Sequence, residues 1–266
     1  MNIFFVAVFD SEAFAYEGLS ILNDLHGSGD ITLYATAIVA KEASRTFRVR
    51  HTSGDGPIGL ALDRLMGSVL SWHAAPIGAT YKPSAESMAE LISDLTRAGV
   101  SLDFLSEVSQ ALAPGKAAVL AEVQETWAIP VDARLNKIGG QVLKRQRTEL
   151  FEDQLQHDAA WLTVELKQRQ AEMVLASAAH RAALQKEVDN IKHKLETTLA
   201  AAEAGQEQTK SEAAAKLSIL GEQLKLADER QKTKIDGHVE EVKTEYETRR
   251  VKLGQTLKFI RDAMNG

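Results

Sequence analysis

All five prolines, Pro57, Pro76, Pro83, Pro114 and Pro130, lie in the first half of this 266-residue chain, and residues 131–266 contain none. A proline inside a helix costs roughly 3 kcal/mol, so the second half is free to form very long helices. From Leu184 its apolar positions repeat in steps of three and four. They run through Leu184, Val188, Ile191 and Leu195, then Leu217, Leu220 and Leu224, then Ile235, Val242, Leu253, Leu257 and Ile260, with the weaker members Gln206, Thr209, Gln231 and Arg249 between them. Repeated steps of four act as stutters that keep such a seam on one face with little supercoiling. One unbroken helix of about 120 residues would be roughly 180 Å long, and its apolar stripe needs a partner. Association of copies through these residues is the expectation.

Composition narrows the function classes. Lys plus Arg number 31 against 37 Asp plus Glu, a formal charge of −6, so no global field for polyanions exists and no nucleic-acid partner is expected. Cysteine is absent, which excludes disulfide scaffolds, thiolate zinc sites and cysteine nucleophiles. The opening MNIFFVAVFD has no basic region before its apolar run and no small-residue cleavage site after it. It reads as a first strand rather than a signal peptide. Two domains are predicted, 1–145 and 146–266.

The first reads as α+β. Ile3 to Phe9 is a continuous apolar run, followed by Ser11 and a helical pattern through Ala15, Leu19, Leu22 and Leu25. ITLYATAIVAK and TFRVRHT alternate as two strands. Helices over about 58–73, 85–98 and 102–112, a strand over 117–123, a helix over 131–138 and a last strand from Gly140 complete the pattern. This succession predicts a ferredoxin-like α+β sandwich followed by a long helical, coiled-coil or bundle-forming tail. Strand order is not readable from it.

Motifs of catalysis are missing. No Walker loop, dinucleotide fingerprint, GxSxG elbow or HExxH occurs, and HGSGD and TSGDGPIG are turn chemistry by their spacing. The seven histidines, His26, His51, His73, His157, His180, His193 and His238, have no i,i+4 pairing. Asp10 and Glu12 read as N-terminal complements to the first helix rather than an acid–base pair. Lys144, Arg145 and Arg147, and Arg45, Arg48 and Arg50, form two basic clusters that read as a solvated sheet face or salt bridges between subunits. Gly205, Gly221, Gly237 and Gly254 in the tail are either tolerated surface glycines or hinge or close-packing sites. In GPIGLALDRLMGSVLSWHAAPIGATY, a helix over 58–73 would be roughly 24 Å long, short of a roughly 30 Å bilayer core, and Asp63 and Arg64 interrupt it. Leu62, Leu65, Met66, Val69 and Trp72 share one face of it. That face suits an oligomer contact or core packing, with an interfacial membrane helix as the alternative.

The opening VAVFDSEAFAYEGLSILNDLH, the strand pair ITLYATAIVAK and TFRVRHT, the glycine-bearing middle and LAPGKAAVLAEV together resemble the bacterial domain of unknown function 1269 family. The resemblance covers about residues 1–145, and the Pro114-Gly115 turn before a strand is its most specific piece. It implies a small α+β domain around a glycine-zipper segment, in proteins usually described as membrane-associated with no established activity. Asp63 and Arg64 depart from that family's uninterrupted apolar middle, and the long helical extension is atypical of it.

The functional expectation is a non-enzymatic, self-assembling structural protein: a scaffold, stalk or filament-like homo-oligomer without cofactor or metal, serving some protein cargo. The runner-up is a peripheral membrane or envelope-stress protein anchored by the 58–73 helix. A small-molecule-binding module on the sandwich is a third class, by fold analogy alone. A cytoplasmic location, with the inner face of the membrane as the alternative site, goes with these readings.

Overall fold

The computed structural model describes residues 1–44, 46–54, 56–73, 85–125 and 129–265. Arg45, Pro76, Pro83 and the end of the glycine-bearing segment lie outside the described residues. The first half contains β1 (Asn2–Phe9), α1 (Glu12–Gly27), β2 (Ile31–Lys41), β3 (Phe47–Ser53), α2 (Gly59–His73), α3 (Ala85–Ala98), α4 (Leu102–Ala111), β4 (Ala117–Glu125), α5 (Ile129–Lys137) and β5 (Gln141–Gln146). The sheet is antiparallel throughout, in the order β3-β2-β4-β1-β5. β1 and β2, joined by α1, flank β4, while β4 and β5, joined by α5, flank β1. These two interleaved split β-α-β units are the ferredoxin-like core. β3 is added at its edge, and α2, α3 and α4 are inserted between β3 and β4.

Side chains alternate across a strand, and β1 is buried along its whole length. Phe5, Ala7 and Phe9 pack with Ala15, Leu19, Leu22 and Leu25 of α1 and with Val131 and Leu135 of α5. Phe4, Val6 and Val8 face the opposite layer, with Leu62, Leu65 and Val69 of α2 and Phe104, Leu105 and Val108 of α4. A strand buried on both faces has no reason to alternate polar and apolar residues, hence the unbroken apolar run. The Ser11 hydroxyl accepts from the Phe14 amide and caps α1. Phe9 is seated between two glycines: a Cβ on Gly18 or on Gly140 would come within 2.7 or 2.6 Å of its ring.

Beyond β5 the proline-free region forms three helices, not one: α6 (Leu150–Leu175), α7 (Ala178–Leu226) and α8 (Glu229–Asn265). The second break has a readable cause. Asp228 accepts from the amides of Arg230 and Gln231, both at 2.9 Å, and the Gln231 side chain accepts from the Asp228 amide at 2.7 Å. This reciprocal capping box starts a new helix without proline.

The chain divides into two compact units, Met1–Thr148 with Glu212–Lys243, and Glu149–Ser211 with Thr244–Gly266. Residues 212–243 thus belong with the sheet. In the second unit α6 and α7 run antiparallel. Leu155 packs with Ala202, Leu253 and Leu257, and Leu162 and Leu166 pack with Val188, Ile191, Leu195 and Ile260. Arg249 pairs with Glu152 at 2.6 Å, and Arg169 with Glu187 at 2.9 Å. A Cβ on Gly205 would lie 3.0 Å from Phe151, which makes this glycine a close-packing site, whereas Gly221 and Gly237 face open space.

Candidate functional site

The polar side chains that the fold gathers lie on the face of the sheet covered by residues 212–243, inside the first unit. Four ionised groups meet there. Glu122 of β4 and Glu212 of α7 both accept from the Arg147 guanidinium at 2.5 Å and from the Lys216 ammonium at 2.8 and 2.7 Å. The side chains of all four are 5% exposed or less. The Asn2 amide donates to Glu122 at 3.1 Å, and Arg147 Nε donates to the Ala98 carbonyl at 3.0 Å. Lys216 also sits 5.0 Å from the Tyr34 ring centroid, and Arg147 5.5 Å from that of Phe4. Two anions and two cations balance, which is the condition for burying any of them.

A second polar group is built around Gln223 of α7. Its amide nitrogen donates to the His26 carbonyl at 2.6 Å and to the Ile31 carbonyl at 2.9 Å. These two acceptors orient the amide, leaving its oxygen to accept from the Thr32 hydroxyl at 2.7 Å. The hydroxyl proton is therefore committed, so at 2.9 Å His238 Nδ1 must be the donor to Thr32. Burial pushes the pKa of His238 down to about 4; the Glu241 carboxylate opposes this and the N-terminal ammonium adds to it. Glu241 itself pairs with that ammonium and accepts from Gln124 at 2.5 Å.

Beside this group a cavity of about 460 Å³ is lined by His26, Tyr34, Ser53, Ser218, Glu222 and Leu226, among others. The Leu33 amide donates to His26 Nδ1 at 3.2 Å, and burial pushes the His26 pKa down, against a backbone interaction with Ile31. The cavity therefore presents a neutral imidazole, hydroxyls, the Glu222 carboxylate and apolar walls. Among the described residues, no cluster of histidine, aspartate and glutamate is arranged to hold a metal ion.

The residues expected to join copies lie instead in the chain's own cores. In the first unit Leu62, Leu65, Val69, Leu220, Ile235 and Val242 are buried, with Met66, Trp72, Leu217 and Leu224 packed against them. In the second, Leu184, Val188, Ile191, Leu195, Leu253, Leu257 and Ile260 are buried. The seam is satisfied internally because the helices turn back, which supplies the partner that a single rod would have lacked. The 58–73 helix packs in the core, and among the described residues no helix is long and apolar enough to cross a membrane.

Among the described residues, both basic clusters are paired within the chain. Lys144 meets Glu125 and Asp132, Arg145 meets Glu107, Arg48 meets Glu42 and Arg50 meets Glu12. Asp10 pairs with Lys116, so neither Asp10 nor Glu12 is part of a carboxylate dyad. Sequence reasoning missed Thr32, Glu122, Glu212, Lys216, Gln223 and His238. A glutamate amid the apolar AAVLAEV strand and the i,i+4 pair Glu212 and Lys216 on the seam's flank were the available signals.

No family model, curated protein or solved structure matches the chain. Pro114-Gly115 forms the turn before β4, where Gly115 has φ +88° and its amide donates to the Lys41 carbonyl at 2.6 Å.

Proposed function

We propose that the protein is a non-enzymatic structural component that associates with copies of itself. The observation that carries this reading is where large apolar side chains remain in water. On the helices of the second unit Trp161 is 57% and Val164 66% exposed, and Phe259 is 44% exposed. On the covered face of the sheet, by contrast, Glu122, Arg147, Glu212 and Lys216 engage one another. Exposed tryptophan next to aliphatic side chains marks association surfaces, since burying it gains more than any other side chain. The contact must use these outer faces, because the seam from Leu184 to Ile260 is occupied within the chain. Sedimentation velocity and electron microscopy of the full chain over micromolar concentrations test the reading. Particles that grow with concentration are expected, and a monomer throughout refutes it.

A second reading, a small-molecule-binding module, is favoured by the cavity beside Gln223. A saturable rise in melting temperature with a small neutral amphiphile, lost on Ser53→Trp, would support it. For the membrane alternative, the apolar face of the 58–73 helix is buried in the core and its exposed face carries Asp63, Gly67 and Ser71 beside Leu60, and failure of the intact chain to float with liposomes would dispose of it.

A further inference from the structure

We propose that α6 pairs with α6 of a second copy, parallel and in register; this rests on the self-association reading above and names its surface. Besides its buried face, α6 carries a second stripe: His157, Trp161, Val164, Gln168, Ala171 and Leu175. These are spaced 4-3-4-3-4 and all exposed, Leu175 to 90%. That is the repeat by which one helix reads another, with apolar residues at most of the a and d positions. An extended peptide would have no use for such spacing. An anionic membrane surface would be repelled by Asp158, Glu165 and Glu172, which border one edge of the stripe.

The occupant and its direction follow from matching. In a parallel, in-register pair each residue of the stripe meets its own copy: Trp161, Val164, Ala171 and Leu175 meet apolar partners, and Gln168 meets a second amide that can donate and accept. An antiparallel pair would set Gln168, whose Nε2 already donates to Glu172 at 3.1 Å, against Val164 and leave its amide oxygen facing an apolar side chain. Charge agrees. At the borders of a parallel pair, Lys167 of each copy reaches Glu172 of the other, which Arg169 of its own chain already pairs at 2.8 Å, giving two attractive contacts against the repulsion between Asp153 and Asp158. Lys167 makes no ion pair among the described residues. An antiparallel pair would bring Glu165 against its own copy and Asp158 against Glu172. The stripe is about 27 Å long and about 10 Å wide, so the two faces remove on the order of 500 Å² or somewhat more from water. This is below the roughly 1,200 Å² of stable complexes, and the pairing is accordingly a weak, concentration-dependent contact that gains from repetition in an assembly.

The absence of cysteine makes the test clean. Full-length Gln168→Cys is oxidised at concentrations where the parent associates, beside Gln156→Cys, which is exposed but off the stripe. Parallel pairing predicts a disulfide-linked dimer from the first and not the second. Trp161→Glu, a surface change that leaves the circular dichroism spectrum intact, should weaken association at least about tenfold by sedimentation. Equal cross-linking of the two cysteine variants, or an unchanged association constant for Trp161→Glu, overturns the α6 contact while self-association itself stands. Cross-linking only in a mixture of Val164→Cys and Gln168→Cys overturns the parallel direction. A parent that is monomeric at every concentration removes both the contact and the reading it rests on.

Discussion

Acidification from pH 7 to pH 5 should loosen residues 212–243 from the sheet, and His238 sets the size of the effect. Its ring is fully buried, donates through Nδ1 to Thr32 and is held neutral, with its pKa lowered to about 4 from 6.5. The groups facing it are Thr32, Gln223, Glu241 and the N-terminal ammonium. Between pH 6.5 and 4 the open state, with an ordinary histidine, binds more protons than the closed one. Stability is therefore complete above pH 6.5 and is lost as pH falls through this window. From pH 7 to pH 5 the loss is about 1.8 kcal/mol at 1.36 kcal/mol per pH unit, or about twentyfold in the open population. Glu241 and Asp30 have lowered pKa values that act only below about pH 4.5, so pH 5 keeps them out of the measurement. Hydrogen exchange of amides in 223–239, corrected for the intrinsic pH dependence, reads the opening directly. His238→Gln, whose side-chain amide can still donate to Thr32, should retain only the smaller share due to His26, which burial shifts in the same direction. An unchanged pH dependence in His238→Gln would refute the assignment of a buried neutral imidazole.

Lys216→Met leaves Glu122 and Glu212 with Arg147 as their shared cation, and should cost about 3–5 kcal/mol in urea unfolding; adding Glu212→Gln should recover part of that. Gly18→Ala places a methyl against the Phe9 ring, with an expected cost of about 1–3 kcal/mol, reduced in the Phe9→Leu background. Leu65→Ser with Val69→Ser removes two fully buried side chains, and each should cost roughly 2–5 kcal/mol. That change should lower the melting temperature without altering liposome flotation or the sedimentation of the fraction that folds.

Local structure was legible where short-range physics sets it. Ser11 ahead of an apolar helical pattern, the run from Ile3 to Phe9 and the alternation in TFRVRHT each read as what they became. The helices over 85–98 and 102–112 fall within a residue of expectation. Asp228 and Gln231 also spelled a helix start, but an apolar seam in steps of three and four crosses that break, since two packed helices share the same periodicity. Only the tertiary structure decided what the seam touches. A stripe in need of a partner is the same stripe whether a second copy or a returning helix fills it, and nothing in the local pattern encodes the reversal of direction. The charge cluster was hidden for a related reason. Glu122, Arg147, Glu212 and Lys216 are drawn from β4, from the residue that follows β5, and from α7, and a charge reads as a surface residue until the fold brings its counter-charge beside it. Burial of an ionised group depends on that distant partner, so it belongs to the arrangement of elements and not to any one of them.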